Sequence, residues 1–442
     1  MIFTTKADDT MNPVHGSSRC RSALALVAIS LLASGSIVAQ GSGDTLRLSV
    51  GDAEARFVEG NLQLLASRMG VEGARAAMLQ AGLWSNPNIA IEQNVYNPAT
   101  QRYFDFTRDG NSEVQVQQLI VLAGKRGKQV RLAEENTAVA EQSFLDLLRS
   151  LKQQLRTDMY DLYYLRRSVA FYDESLRALT STITTATRMY EGRTLLLAEL
   201  LRLKSLYFSL ANERLGLVMQ EEGIQQDLKI LLRDTSARTA VYMPDIDTLR
   251  AGFQVITLDS ARAVAAQYRP DLRVAASTVA LDEANLSLQK ALAVPDLTLA
   301  GRWSRNGSYI PDYFAVSVAI DLPLFNRNQG NILAAERTLD ADRANLEATR
   351  MRVDRDVDLA LKKAQESDRL LGSSSRAFTD QYATLVGGMI ANYQKRYVSI
   401  LEFTDFFESY RTSMMQMYQL QNNRLDAIEA LNYAVGTDLV KP

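Results

Sequence analysis

Histidine and cysteine supply most of the general bases, thiolate nucleophiles and soft metal ligands of proteins, and this 442-residue chain has one of each, His15 and Cys20. Both precede an apolar run from Ala23 to Ala33, which follows Arg19 and Arg21 and leads to Ile37-Val38-Ala39 before Gln40. A basic flank, a short apolar run and small residues make residues 1–39 a secretory signal, with Met11 the expected start. A membrane anchor would need roughly 18 apolar residues, more than this run offers. Cleavage leaves an exported chain without His or Cys. Disulfides, thiolate or imidazole metal sites and His- or Cys-based catalysis are then excluded, and no cofactor or metal is expected. Carboxylates remain. Glu402 and Asp405 stand three apart, which puts them on one helical face, and Glu199 holds the place corresponding to Glu402 in an earlier segment. Taken alone, such charges form a solvated helix face or one side of an ion pair with a nearby Arg.

The elements that position these carboxylates are duplicated. Leu119 and Leu322, Gly127 and Gly330, Tyr190 and Tyr393, Glu199 and Glu402, and Leu228 and Leu431 match at an offset of 203 residues. Upstream the register slips: Leu62, Ala66, Ser67 and Ala74 answer Leu272, Ala276, Ser277 and Ala284, and Pro87-Asn88-Ile89 answers Pro295-Asp296-Leu297. So long a period is no solenoid repeat, and each unit must hold several elements. The first repeat is expected over 40–235, a linker or equatorial segment over 236–256, and the second repeat over 257–442.

Prolines punctuate the repeats: none lies between Pro98 and Pro244 or between Pro323 and Pro442. Because proline breaks helix interiors, these gaps can hold very long helices. Phe144, Leu148, Leu151, Leu155, Met159, Leu162, Leu165 and Val169 recur in steps of three and four, the spacing of a coiled-coil seam. The spacing predicts a helix from Gly127 to about Arg188, a turn at Tyr190-Glu191-Gly192-Arg193 stopped by the glycine, and a return helix to Leu232. The second repeat predicts the same from Gly330 to about Met389, then from Ser399 to Val435. Shorter helices are expected over 51–83 and 257–292.

Between short helix and hairpin the period changes to two. Phe314, Val316, Val318, Ile320 and Leu322 alternate with Ala315, Ser317, Ala319 and Asp321; Val114, Val116, Ile120 and Leu122 alternate with Glu113, Gln115, Gln117 and Val121. Each repeat thus offers a strand hairpin, over about 88–122 and 296–324, with strands of roughly ten residues, long enough to cross a bilayer when tilted. Tyr96, Tyr103, Phe104 and Phe106, and Trp303, Tyr309, Tyr313 and Phe314, are candidate interfacial aromatics. A half-buried soluble sheet alternates in the same way. Four strands cannot close a barrel, so strands that span a membrane must be shared among subunits. The 49 basic and 51 acidic residues give no electrostatic case for nucleic acid.

Two repeats of helix, strand hairpin and long helical hairpin behind a signal peptide resemble the TolC-type outer membrane factors, particularly their heavy-metal and drug efflux branch. The most specific matches are the paired segments Tyr190–Leu200 and Tyr393–Phe403, together with Gln118–Leu122 and Asp321–Phe325. The resemblance implies a mainly α protein with a membrane β-barrel, a homotrimer whose strands close a twelve-stranded barrel in the outer membrane lipid of a Gram-negative bacterium, and a coiled-coil tunnel in the periplasm. It implies a passive channel of a tripartite efflux or type I secretion system, working with a periplasmic adaptor and an inner-membrane pump of the resistance-nodulation-division type. It places Glu402 and Asp405, with Glu199, at a narrow periplasmic aperture.

Adaptor docking falls to Glu191, Gly192 and Arg193 and to Gln394, Lys395 and Arg396, because functional contacts concentrate on exposed turns. Phe314, Val316, Val318, Ile320 and Leu322 are expected to face lipid, with Ser317 and Asp321 toward the lumen. The family's tip glycine, three residues after the aromatic, is Arg193 or Arg396 here, and the lipid-attachment cysteine of many relatives is absent. The rival reading is a poreless periplasmic adaptor or scaffold. Adaptors usually insert a small β domain into one helical hairpin, whereas this chain has two hairpins with strands before each.

Overall fold

The computed structural model describes residues 45–236, 238–243, 256–306, 310–373, 385, 388–393 and 395–440. The signal segment, most of the 236–256 linker, Tyr309 and the docking residue Gln394 lie outside the described residues.

Two long helices form the first hairpin. Helix α3 (Lys125–Glu191) runs for 67 residues, about 100 Å at 1.5 Å per residue, and returns through α4 (Leu197–Leu232). In the second repeat α7 (Gln329–Ser373), helical residues 388–393 and α8 (Ile400–Val435) follow the same course. Among the described residues, no helix is long and apolar enough to cross a membrane.

The short leading helices are each broken, contrary to the single helices that the periodicity predicts. The first is α1 (Val50–Gly60) followed by α2 (Leu62–Ala81). At the break, Asn61 turns extended, its side-chain oxygen accepts from the Gln63 and Leu64 N–H groups, and its amide donates to the Leu231 carbonyl at 3.0 Å. The second is α5 (Leu258–Tyr268) followed by α6 (Pro270–Leu292). Here Pro270 forces Arg269 out of the helical region, because the proline ring clashes with a preceding helical residue. The two breaks stand at the separation of Pro87 from Pro295, so the structural register of the leading helices differs from the pairing of Leu62 with Leu272.

A four-stranded antiparallel sheet joins the repeats in the order β2 (Asn88–Gln93), β5 (Ser112–Ile120), β7 (Leu297–Asn306), β8 (Pro311–Ile320). The central β5–β7 pair crosses between repeats, and β2 and β8 are its edges. Leu322, expected within the last strand, lies just beyond it. Leu119 pairs with Thr298 on the opposite face from Val316 and Val318, so its match to Leu322 does not survive as a strand register. Two small sheets were not legible: β1 (Thr45–Leu48) pairs in parallel with β6 (Arg238–Val241), and β3 (Tyr96–Asn97) pairs with β4 (Arg102–Tyr103) in the loop between β2 and β5. At four and two residues they are too short for a period to register.

Three apolar clusters line the helices. Leu155, Met159 and Leu162 of α3 pack on Phe57 and on Leu228 and Leu231 of α4; Tyr160 and Tyr164 pack with Val357, Leu361 and Ile428; Phe171, Tyr172 and Leu179 pack with Leu203, Leu210, Phe403 and Phe407. Gly436 ends α8 in the left-handed region at φ 81°, where a Cβ would come within 2.8 Å of the Tyr268 carbonyl oxygen, so both conformation and space demand glycine.

Arg156 is one of several buried cations in the fold. Arg156 donates to Glu54 at 2.5 Å, to Glu429 at 2.9 Å and to Asp438 at 2.9 Å, tying α1, α3, α8 and the C-terminal segment together. Glu429 is almost wholly buried and also accepts from the Tyr160 hydroxyl at 3.2 Å. Replacing Arg156 by Ala would leave the buried Glu429 carboxylate uncompensated, at a cost of about 3–5 kcal/mol. Denaturation of Arg156→Ala should show a loss of that size, while Lys152→Ala, which removes a partly exposed partner of Glu54 and Asp438, should lose far less; equal losses would deny Arg156 its central place.

Candidate functional site

The sheet separates apolar from polar side chains because residues paired across antiparallel strands share a face. One face carries the rows Ile91, Val114, Trp303, Phe314 and Ile89, Val116, Gly301, Val316, followed by Leu299 with Val318 and then Ile120, Leu297, Ile320; Gln118 is its polar exception. The other carries Glu92, Glu113, Ser304, then Gln115 with Arg302, then Asn88, Gln117 and Ser317. Phe314, Val316, Val318, Ile320 and Leu322 are all exposed, Val316 to 84%. Phe314, Val316, Val318 and Ile320 therefore lie on one exposed face, with Ser317 on the other and Leu322 beyond the strand. Arg302 meets Glu113 at 3.5 Å on the polar face.

Beyond the sheet the 94–111 loop is a built structure. The buried Asp105 carboxylate accepts from the hydroxyls of Thr100 at 2.6 Å and Thr107 at 2.5 Å, from the Thr107 N–H and from the Asn97 amide. These bonds, led by the two hydroxyls, hold its carboxyl well below the usual carboxylate range. A Cβ on Gly110 would collide with the Asp105 carbonyl, so only glycine fits there. Asn306 clamps the loop from the second repeat by donating to the carbonyls of Arg108 and Gly110, each at 3.0 Å.

At the far end, the two hairpin turns repeat each other in geometry. The Gly192 N–H donates to the Arg188 carbonyl and the Thr194 N–H to Met189; the Lys395 N–H donates to Ala391 and the Tyr397 N–H to Asn392. Gly192 caps the end of α3, as the sequence predicts, but is not left-handed: its φ is −74°, and the positive φ falls on Arg193, at 57°, and on Arg396, at 64°. Each left-handed non-glycine residue costs roughly 1–2 kcal/mol. Part of that is offset where the Arg396 guanidinium donates to the Thr194 carbonyl and joins the two turns. Glu191, Gly192, Arg193, Lys395 and Arg396 are all exposed.

The carboxylates stand just behind these turns. Tyr393 stacks on Phe403 at 4.9 Å, and Phe403 meets Phe407 at 5.9 Å, so the buried face of α8 leaves Glu402 and Asp405 on the exposed side. Glu402 is also the third residue of a capping box: its carboxylate accepts from the Ser399 N–H at 2.9 Å and from the hydroxyl at 2.8 Å, while the Ser399 hydroxyl accepts from the Glu402 N–H. These bonds push its pKa down and keep it ionised. The Ser399-x-x-Glu402 spacing is a capping signature legible in the sequence, and the sequence reading passed over it. Glu199 holds the same place in α4, but Leu196 precedes that helix and offers no side-chain cap. Glu199 is half-buried; burial, and then its charge, raise the pKa of the Tyr393 hydroxyl.

Comparison with known proteins places this geometry. Residues 262–437 match the family model described as outer membrane efflux protein. That match lies within the second repeat, and over 88–89% of the chain the fold is that of the solved structures that follow. A structure of CusC is similar with a TM-score of 0.71 at 16% identity, over 88% of this chain and 92% of that one. The Campylobacter jejuni CmeC outer membrane channel gives 0.70 at 12%, over 89% and 87%, and the Neisseria gonorrhoeae MtrE outer membrane channel, in its open state, gives 0.67 at 17%, over 88% and 89%. A search of curated proteins returned no match.

The two faces of β8 make opposite demands. Arginine at position 318 would stand on the apolar face, where a bilayer-exposed guanidinium costs about 2–4 kcal/mol; at position 317 it would join Arg302 and Glu113 on the polar face. Val318→Arg should therefore sharply reduce the amount of protein recovered in the outer membrane fraction, and Ser317→Arg should change it little. Equal recovery of the two variants would sink the assignment of faces.

Proposed function

We propose that the chain is the outer membrane channel of a tripartite efflux or type I secretion system, a passive conduit with no catalysis, extending from the outer membrane into the periplasm of a Gram-negative bacterium. The observation that carries this reading is a sheet with one exposed apolar face and two open edges, joined to helices about 100 Å long. Open edges are not tolerated in a bilayer, so β8 of one copy pairs with β2 of the next, and three copies close twelve strands. The exposed seam of α4 supports the same assembly: Leu201, Phe208 and Leu215 follow one another at seven residues, and Met219 at four, which is coiled-coil spacing left exposed among the described residues. A poreless scaffold would have no use for the exposed apolar sheet. On unheated gels of urea-extracted membranes the protein should run as a heat-sensitive trimer; a monomer released by urea would favour the scaffold.

In this reading three copies turn Glu402 and Asp405 into rings at the periplasmic mouth, with Glu199 beside them, and rings of like charge concentrate cations. The Ser399 cap favours the charged form of Glu402, which supports a charged ring. In planar bilayers Glu402→Ala with Asp405→Ala should lower cation preference and raise conductance. Glu222→Ala, which only frees the surface partner Arg238 far from the tips, should do neither. An unchanged reversal potential in the double variant would refute the ring.

Glu191, Gly192 and Arg193, and Gln394, Lys395 and Arg396, form the docking surface for a periplasmic adaptor, which links the channel to an inner-membrane pump of the resistance-nodulation-division type. The cations of this surface suit carboxylates on the adaptor. Charge reversal at Arg193 and Lys395, both exposed and free of the Arg396 contact, should abolish adaptor cross-linking while leaving the trimer intact; full cross-linking would remove the tips from the interface.

A further inference from the structure

Asp282 is buried in a place that offers it no cation. It lies on α6, 8% exposed, and its Oδ2 atom has no hydrogen-bond partner among the described residues. Two ion pairs set α6 antiparallel to α7: Glu283 with Arg343 at 2.8 Å and Lys290 with Glu336 at 3.4 Å. Asp282 and Asp342 are the residues immediately before the two partners of the first pair, and their carboxyl groups come within hydrogen-bonding reach. The Asn345 amide donates to Asp342 at 2.9 Å.

The charges that flank this pair are engaged elsewhere. From α3, Lys128 donates to the Ser287 hydroxyl at 2.8 Å. Glu135, seven residues on and so on the same helical face, pairs with Arg131. On α6 and α7, Glu283, Lys290, Glu336 and Arg343 form the two ion pairs above, and Arg337 pairs with Asp340 at 3.0 Å. A carboxylate this deep without a cation is costly. Two carboxyl groups in contact can bond only when one of them holds a proton. Burial, and then the Asp342 carboxyl, push the Asp282 pKa up to about 6. Asp342 stands thirteen residues into α7, about 20 Å from its start. Because α6 is bonded to α3 on one side and to α7 on the other, whatever holds α7 to α6 also holds the second repeat's long helix to the first.

We propose that Asp282 and Asp342 form a proton-dependent clip: with one proton shared between them the pair holds α7 against α6, and loss of that proton sets two carboxylates against each other and loosens the helices. The clip belongs to the single chain and does not rest on the trimer; in the proposed channel it makes the tunnel wall firmer on the acid side of neutrality. Because the folded-state pKa is raised, the clip is whole below the ordinary carboxyl range and is lost as pH rises through about 6.

The only cysteine, Cys20, lies in the signal segment, so Ala335→Cys supplies a single thiol probe. Position 335 is buried on α7, two turns before Asp342 on the same face. The full-length protein is labelled with a water-soluble maleimide from pH 5 to pH 8, with and without Asp282→Asn. Rates are compared at equal pH, so that thiol ionisation cancels. Asp158 and Asp426, which burial raises to about 7, are common to both proteins and cancel as well. At pH 5 the two rates should agree; at pH 8 the thiol should react about tenfold faster in the Asp282 parent than in Asp282→Asn. Asp342→Asn should lower the midpoint of this change, and it carries the comparison where Asp282→Asn does not fold. A ratio that stays constant from pH 5 to pH 8 would overturn the clip. If calcium slows labelling at pH 8 and a chelator restores it, a metal cation and not a proton closes the pair, which also overturns it.

Discussion

Burial of the apolar face of α3 is the interaction on which the rest of the molecule depends. A helix of 67 residues has no compact domain to fold into, and isolated helix propensity contributes little to its stability. It is held because different sides and stretches of it meet different partners: α1 and α4 around Phe57 and Leu228, α7 and α8 around Val357 and Ile428 on the other side, and the tips of α4 and α8 around Leu203 and Phe403. Each cluster joins elements from distant parts of the chain. The polar counterpart is Arg156, whose three carboxylate partners lie on separate segments and whose desolvation is tolerable only while all are present.

The junction between sheet and helices has a different logic. Four strand ends and the start of α3 converge where Lys125 meets Asp296, and the same carboxylate oxygen accepts from the Leu122 N–H at 2.9 Å. One charged pair thereby couples the first repeat's helix to the second repeat's strand and satisfies a backbone donor at a point where the chain leaves regular structure. Ala123 and Gly124, both at positive φ, make the bend that the junction needs. The opposite end of the sheet is braced by Asp105 and Asn306, through hydrogen bonds within the loop and to its backbone.

The hairpin tips show strain of another kind. Arg193 and Arg396 occupy left-handed positions that glycine would fill at no steric cost, and the two turns agree bond for bond although only one contains a glycine. The geometry is therefore imposed by what flanks it: the end of one long helix, the start of the next, and the stack of Tyr393 on Phe403. Arginine at these positions places positive charge at the outermost point of each hairpin, immediately ahead of Glu199 and Glu402.

Periodicity and punctuation were enough to determine the duplication, the long helices within a few residues, the strand hairpins and the alternation of β8, because each is a local pattern repeated over many residues. The matched tips were legible for the same reason. Tertiary structure decided what local pattern does not encode: the breaks at Asn61 and Arg269, which answer to contacts with Leu231 and to Pro270; the pairing of β5 with β7, which brings together residues some 180 apart in the chain; and the four-residue β1–β6 pair, too short to carry a period. It also decided which tip residue takes the left-handed turn. Glycine marks a permissive position in sequence, but the position that must be left-handed is fixed by where the two helices come together, and there it fell on arginine.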